Sequence, residues 1–289
     1  MTTRRLFLGG TAALAAALTV RGDFASAQDS SPVPGTPIPI PAIEDLPLRQ
    51  AGKLTIHADQ PLYPPWFIDN DPTNGQGFES AVSYALAGAL GFTADQVEWG
   101  YTSFNASYAP GPKDFDFYIT EVSITDERKQ AVDFSDPYYR EPLVIVTHAD
   151  SPLLEARSIA ELRQFRFASQ VGTTYHRYLE NTIQPESDLL VFDTNADSLQ
   201  ALVNETVDAV IQTYQIGIFN TTIQFEGLAL GGILPGTTSD LGLVVEKGSE
   251  LTPYLNDALA NLRNDGTLAA LEEEWLPIPP EVFTYTLDS

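Results

Sequence analysis

Asp116-Phe117-Tyr118-Ile119-Thr120-Glu121-Val122-Ser123-Ile124-Thr125-Asp126-Glu127-Arg128 is the stretch whose reading decides the fold, and it runs on to Val132-Asp133-Phe134-Ser135-Asp136-Pro137-Tyr138-Tyr139. It opens as an apolar strand and then turns polar. Ser123 and Thr125 bring hydroxyls, and Arg128 brings a planar fork of five N–H donors. That fork matches a carboxylate in bidentate geometry. Pro137 and the pair Tyr138-Tyr139 close the stretch.

Upstream, Lys53-Leu54-Thr55-Ile56-His57-Ala58 alternates apolar and polar residues, as a strand does. It runs into Asp59-Gln60-Pro61-Leu62-Tyr63-Pro64-Pro65-Trp66, a proline-rich loop that cannot continue a sheet. Tyr63 and Trp66 there are open to two readings, packing under the loop or contact with a ligand. After the turn at Asn74-Gly75, Phe78, Val82, Ala85, Leu86, Ala89 and Leu90 recur on one helical face, and Gly91 ends the helix. Residues 97–101 read as a second strand, followed by Ser103-Phe104-Asn105.

Downstream, Leu143-Val144-Ile145-Val146-Thr147 is a continuous apolar run, the pattern of a strand buried on both faces. Ser158-Ile159-Ala160-Glu161 is a capping box. A strand over 165–169 leads to Val171-Gly172-Thr173-Thr174 and a helix over 175–180. A Gly-Thr-Thr turn at a helix start leaves N–H groups and hydroxyls free to meet an anion. Strands over 189–192 and 208–212 flank a helix over 196–203, and a further strand covers 241–249. Leu251, Leu255, Ala258, Leu259 and Leu262 mark a helix, and Asn264-Asp265-Gly266-Thr267-Leu268 turns into a last helix ending at Trp275. Strands alternating with helices predict an α/β fold with mostly parallel sheets.

The chain has 289 residues and a formal net charge of -24. So acidic a surface repels nucleic acid and anionic membrane. There is no cysteine, which excludes disulfides, thiol catalysis, thiolate metal sites and a lipid-modified cysteine anchor. His57, His148 and His176 lie far apart and in no metal-ligand spacing, so neither metal nor cofactor is expected. Residues 1–27 read as a targeting segment: Arg4-Arg5 precede Leu6-Phe7-Leu8, an Ala-rich apolar run follows, and Ala25-Ser26-Ala27 supplies a cleavage site. Thr3-Arg4-Arg5-Leu6-Phe7-Leu8 resembles a twin-arginine export signal. Residues 28–48, with proline at near-alternate positions, read as an extended spacer.

From Ser123-Ile124-Thr125-Asp126-Glu127-Arg128 through Tyr138-Tyr139, with Gly77-Phe78-Glu79, Val171-Gly172-Thr173-Thr174 and Asp265-Gly266-Thr267-Leu268, the sequence resembles the amino-acid-type solute-binding proteins of ABC importers. The resemblance spans residues 49–276. It implies the type 2 periplasmic-binding-protein fold: two lobes, 49–141 plus 241–289 and 142–240, joined by crossings near 140–143 and 240–243. It also implies an exported, periplasmic or cell-surface monomer that holds a small ligand between its lobes and docks on a membrane permease with its ATPase.

In that family the arginine grips the ligand carboxylate, which falls here to Arg128. Thr173 and Thr174 would meet the same carboxylate from the second lobe, with Ser123 adding a hydroxyl. Asp59 and Tyr63 take the places of the acid and ring after the first strand, and Phe104 forms a wall. Thr213 stands where relatives often have an aspartate that holds the α-amino group. Glu121 stands where many have a small polar residue; it either replaces that aspartate from the opposite lobe or is a structural acid paired with a cation. The rival reading is an enzyme. Secreted dehydratases of arogenate and prephenate share the fold, and Glu121 would serve them as general acid or base.

Overall fold

The computed structural model describes residues 36–276 and 280–287. The stretch read as a targeting segment, residues 1–27, and the first part of the proline-rich stretch lie outside the described residues. Among the described residues no helix is long and apolar enough to cross a membrane.

The first half of the chain builds β1 (Leu54–Ala58), α1 (Phe78–Ala89), β2 (Val97–Tyr101), α2 (Phe104–Ser107), β3 (Phe117–Tyr118) and β4 (Asp133–Phe134). In β1 every second residue is fully buried, Leu54, Ile56 and Ala58, as its alternation predicts. Phe78, Val82 and Leu86 of α1 pack on that face, each such side chain stabilising by about 1.5–3 kcal/mol. Then β5 (Tyr139–Glu141) and β6 (Leu143–His148) carry the chain away.

The next run is α3 (Ile159–Leu162), β7 (Phe167–Gln170), α4 (Thr174–Tyr178), β8 (Leu190–Phe192), α5 (Asn195–Val203), β9 (Ala209–Thr213), α6 (Tyr214–Phe219) and β10 (Leu228–Ile233). The capping box opens α3 as expected, with the Ser158 hydroxyl and Glu161 side chain each satisfying the other's backbone. The short helices α4 and α6 each continue as a π-helical turn, over Leu179–Ile183 and Asn220–Gln224. Finally β11 (Ser239–Leu241), β12 (Val244–Val245), α7 (Thr252–Asn264) and α8 (Thr267–Trp275) complete the chain.

Two five-stranded sheets result, ordered β2-β1-β3-β12-β4 and β10-β6-β9-β7-β8. The expected parallel character is confined to β2-β1-β3 and to β9-β7-β8. β6 and β12 enter from the crossings and run against the strands they join, and β10 pairs antiparallel with β6 before the chain returns to the crossing. The crossings form their own two-stranded ribbon, β5 against β11, with Arg140 paired to Asp240. The strand read over 241–249 is therefore two short strands: Leu241 belongs to the ribbon and Val244 to the first sheet.

Two end segments differ from expectation. The spacer is not free from Ile38 onward: Ile38 exchanges backbone bonds with the Asn261 amide of α7 at 2.7 and 2.9 Å, and Leu46 is buried. The tail, expected with the first lobe, lies against the second. Ile233 N–H donates to the Phe283 carbonyl, Tyr285 N–H donates to the Ile233 carbonyl, and Tyr285 is 2% exposed. An apolar aromatic pair and an unpaired β10 edge explain why the segment settles there.

Candidate functional site

A narrow cleft lies between the sheets. From the first lobe it is lined by Asp59, Tyr63, Phe104, Thr120 and Glu121; from the second by Gln170, Tyr175, Asn195, Gln212, Thr213 and Ile216. The lining collects at the carboxyl ends of β1, β7 and β9, where open α/β sheets leave a crevice.

Asp59 follows β1 directly. Its Oδ1 accepts from the N–H groups of Gln60 at 2.8 Å and Phe104 at 3.2 Å, and burial pushes its pKa up. Tyr63 reaches across the cleft, where its hydroxyl accepts from the Ala196 N–H at 3.2 Å in the first turn of α5. Burial pushes its phenol up to about 12, so it is neutral. Trp66, by contrast, is 1% exposed and stacks edge-on with Phe78 and Tyr139, which settles it as core.

Glu121 is held at φ 47, a conformation that L residues rarely adopt. Its N–H donates to Glu79 Oε1 at 2.6 Å, and its Oε2 accepts from the Thr213 hydroxyl at 2.8 Å across the cleft. Burial, then the carboxyls of Glu141 and Glu79, push its pKa well up. The two departures noted in the sequence therefore meet each other. No cation pairs with Glu121 among the described residues, so the paired structural acid is not what is found.

Arg128 is 3% exposed and does not line the open cleft. Its guanidinium lies over the Tyr108 ring at 4.3 Å and the Phe104 ring at 5.3 Å. Nη1 donates to the Ser123 carbonyl at 2.9 Å, and Nη2 donates to the Gly172 carbonyl at 3.1 Å. Nε is buried with no acceptor. Ser123 sits at the crossing, its backbone bridged to Leu241 and its hydroxyl 3.2 Å from that of Ser239. The Thr173 hydroxyl is spent within its own turn: it donates to the Gln170 carbonyl and caps α4 by accepting from the His176 N–H. Thr174 is the first residue of α4 and, like Ser123, Arg128 and Thr173, lies off the lining.

The lobes touch beside the cleft as well as through it. The Gly172 carbonyl also accepts from the Tyr108 hydroxyl at 3.0 Å, and Arg177 pairs with Glu127. Protein groups of the opposite lobe thus occupy the guanidinium of Arg128, the hydroxyl of Tyr63 and the carboxylate of Glu121.

Sequence reasoning missed Thr120, Gln170, Tyr175, Asn195, Gln212 and Ile216. Asn195 Nδ2 donates to Gln212 Oε1 at 2.9 Å, while Gln212 Nε2 is buried with no partner. A glutamine at the carboxyl end of a fully buried strand, as in Phe167–Gln170 and before Thr213 in β9, was the available signal.

The comparisons with known proteins agree with this geometry. A model of the bacterial extracellular solute-binding proteins, family 3, matches residues 54–278. The L-cystine-binding protein of Escherichia coli (strain K12) is 28% identical over 235 residues, covering 79% of this chain and 84% of that protein. A solved ancestral arginine-binding protein bound to arginine superposes with a TM-score of 0.67 at 28% identity, over 78% of this chain and 98% of that one. An ancestral amino-acid-binding protein, a precursor of cyclohexadienyl dehydratase, gives the same TM-score and identity over 78% and 96%. Sheet order, ribbon crossings and a match over most of the described residues lead to one assignment: the chain belongs to the bacterial extracellular solute-binding proteins, family 3.

Proposed function

We propose that the protein captures an amino acid between its lobes and delivers it to an ABC importer, acting as an exported monomer. The observation that carries this reading is the state of Arg128: a desolvated guanidinium with an unpartnered Nε, its Nη2 spent on a carbonyl of the opposite lobe. A buried cation held so needs an anion to repay its desolvation. When the lobes part, Nη2 loses Gly172. A ligand carboxylate then meets the fork and is shut in as the lobes close.

Tyr63, Phe104 and Tyr175 supply walls, and Gln212 Nε2 supplies a second unspent donor. Thr213 and Glu121 face each other where the ligand amine would sit. Thr173 contributes by shaping the Gly172 turn rather than by touching ligand. The twin-arginine-like segment at residues 1–27 supports export, and the relatives' binding of cystine and arginine supports an amino acid as ligand.

A thermal-shift screen against the twenty amino acids and simple carboxylates tests this. A ligand at one hundred times its Kd stabilises by about 2.7 kcal/mol. Arg128→Ala is expected to abolish the shift, since truncating a buried charge partner costs about 2 kcal/mol or more, roughly thirtyfold in affinity. A ligand that stabilises parent and variant equally would remove Arg128 from the site. Release of phenylpyruvate from prephenate would transfer the protein to the enzyme reading, which the dehydratase precursor among its structural neighbours keeps worth assaying.

A further inference from the structure

Arg128 rests in an aromatic corner. The rings of Phe104 and Tyr108 meet edge to face, 5.5 Å apart, and the guanidinium lies 5.3 Å from the first and 4.3 Å from the second. Both rings belong to α2: Phe104 opens the helix and Tyr108 caps its end. Four residues make a weak helix alone, since a single turn fixes many dihedrals for few hydrogen bonds. This one is tied at both ends. The Phe104 N–H donates to Asp59 Oδ1 at 3.2 Å, and the Ser107 hydroxyl donates to the Phe104 carbonyl at 2.7 Å. The buried Lys113 ammonium donates to the carbonyls of Ala106 and Ala109. Both rings then pack on the cluster of Phe115, Tyr118 and Val122.

The corner leaves the guanidinium little freedom. The Tyr108 ring holds one side of it through a cation–π contact, and the Ser123 carbonyl, accepting from Nη1, holds one edge. The Nε N–H stays unspent. An arginine held this way has already given up the rotamer freedom that taking a carboxylate would cost. Phe104 lines the cleft, but Tyr108 does not.

The hydroxyl of Tyr108 has a separate task. It stands against two oxygens, Asn105 Oδ1 in its own helix and the Gly172 carbonyl of the opposite lobe, the latter at 3.0 Å. The same Gly172 carbonyl accepts from Arg128 Nη2. A phenol has one proton to donate. With the lobes apart it goes to Asn105. With the lobes together it goes to Gly172, and the Asn105 amide, turned over, donates from its NH2 to the phenol oxygen. Neither state strands a polar group, so the contact makes and breaks at small cost.

We propose that Tyr108 is the positioning residue of the arginine that takes the ligand carboxylate and also the latch between the lobes: its ring aims the guanidinium, and its hydroxyl closes on the Gly172 carbonyl. The first role rests on the amino-acid reading above. The second concerns the two lobes alone and does not need it. The roles separate in what they change. Aiming the guanidinium favours a carboxylate over a neutral group in its place. The latch forms only on closure, so it slows release and leaves the on-rate alone.

Two variants divide the roles. Tyr108→Phe keeps the ring and loses the hydroxyl; Tyr108→Leu loses both. Stopped-flow binding of L-arginine and L-argininamide, which differ at the carboxylate, reads each role. Tyr108→Phe is expected to release L-arginine about fivefold faster, the worth of one neutral hydrogen bond, with the on-rate and the preference over the amide unchanged. Tyr108→Leu is expected to release it faster too and to lose about tenfold of that preference. A merely structural Tyr108 would lower the melting midpoint and leave off-rate and preference where they are. The chain has no cysteine, so Ala94→Cys ahead of β2 and Ser187→Cys ahead of β8, both exposed, take a fluorophore pair that reads the distance between the lobes. Without ligand, the ratio of closed to open molecules is expected to fall about fivefold in Tyr108→Phe.

Unchanged distances with an unchanged off-rate overturn the latch. A preference retained in Tyr108→Leu overturns the positioning role and leaves the amino-acid reading standing. If neither probe binds, the twenty-amino-acid screen decides the wider reading, and the labelled pair still decides this one: equal distance distributions in parent and Tyr108→Phe overturn it.

Discussion

Gly172 shows how one residue governs contact between the lobes. It sits at φ 77 in the turn before α4, and its carbonyl receives both Arg128 and Tyr108. A Cβ at this position would lie 2.7 Å from the Tyr108 hydroxyl and closer still to the Asn105 side chain. Both belong to the opposite lobe. Gly172→Ala thus does two separable things. The left-handed backbone costs about 1 kcal/mol in any state of the cleft, which lowers the melting midpoint by roughly 2–4 °C. The added methyl opposes closure only, so ligand affinity falls about tenfold or more, read by calorimetry. Unchanged affinity would show that the lobes need not approach this closely to hold their ligand.

At the scale of the element, the ribbon β5–β11 carries a titratable group into the crossing. Burial, and secondarily the nearby Glu79, raise the pKa of Glu141. The folded state therefore binds more protons than the unfolded one, whose glutamates titrate near ~4.3. Stability from this group is complete below the unfolded pKa and is lost as pH rises through the folded value. Between pH 5 and pH 8 the parent's midpoint should fall relative to that of Glu141→Gln; parallel curves would show the carboxyl already ionised at pH 5.

The elements themselves were largely legible. β1, α1, β6, α5 and α7 follow hydrophobic period, and α3 follows its capping box, because those signals are local. The ribbon was not, since Ser239–Leu241 has no pattern of its own and takes its register from Tyr139–Glu141. The site divided the same way. Arg128 and the Gly172 turn could be read as motifs, whereas the Glu79–Glu121–Glu141 cluster joins α1, the loop after β3 and the crossing and exists only once they fold together.

Across the whole molecule the chain passes between the lobes a third time. α8 packs on the first lobe, with Leu268 and Leu276 in its core. Yet residues 280–287 bind the second. The Tyr214 hydroxyl donates to the Pro280 carbonyl at 2.7 Å, Ile159 N–H to the Thr286 carbonyl at 3.0 Å, and Thr286 N–H to the Arg157 carbonyl at 2.9 Å. Phe283 and Tyr285 meet edge to face at 5.0 Å over Gly231 and Gly232, where a Cβ would meet the Tyr285 hydroxyl or both rings, and Arg157 covers Phe283 at 4.4 Å. The tail thus covers the Gly231–Ile233 end of β10 and ties it to the lobe that carries α8. Stopping the chain after Leu276 removes that cover and the burial of Tyr285, a loss of about 1.5–3 kcal/mol for such a side chain, besides the edge hydrogen bonds. The melting midpoint should fall by roughly 5 °C or more. Hydrogen exchange should speed up through Leu228–Ile233 while β1 stays protected, and the radius of gyration of the ligand-free protein should rise as a tether between the lobes is lost. An unchanged radius with a lowered midpoint would reduce the tail to a patch on the second lobe; unchanged exchange in β10 would mean that the edge never depended on it.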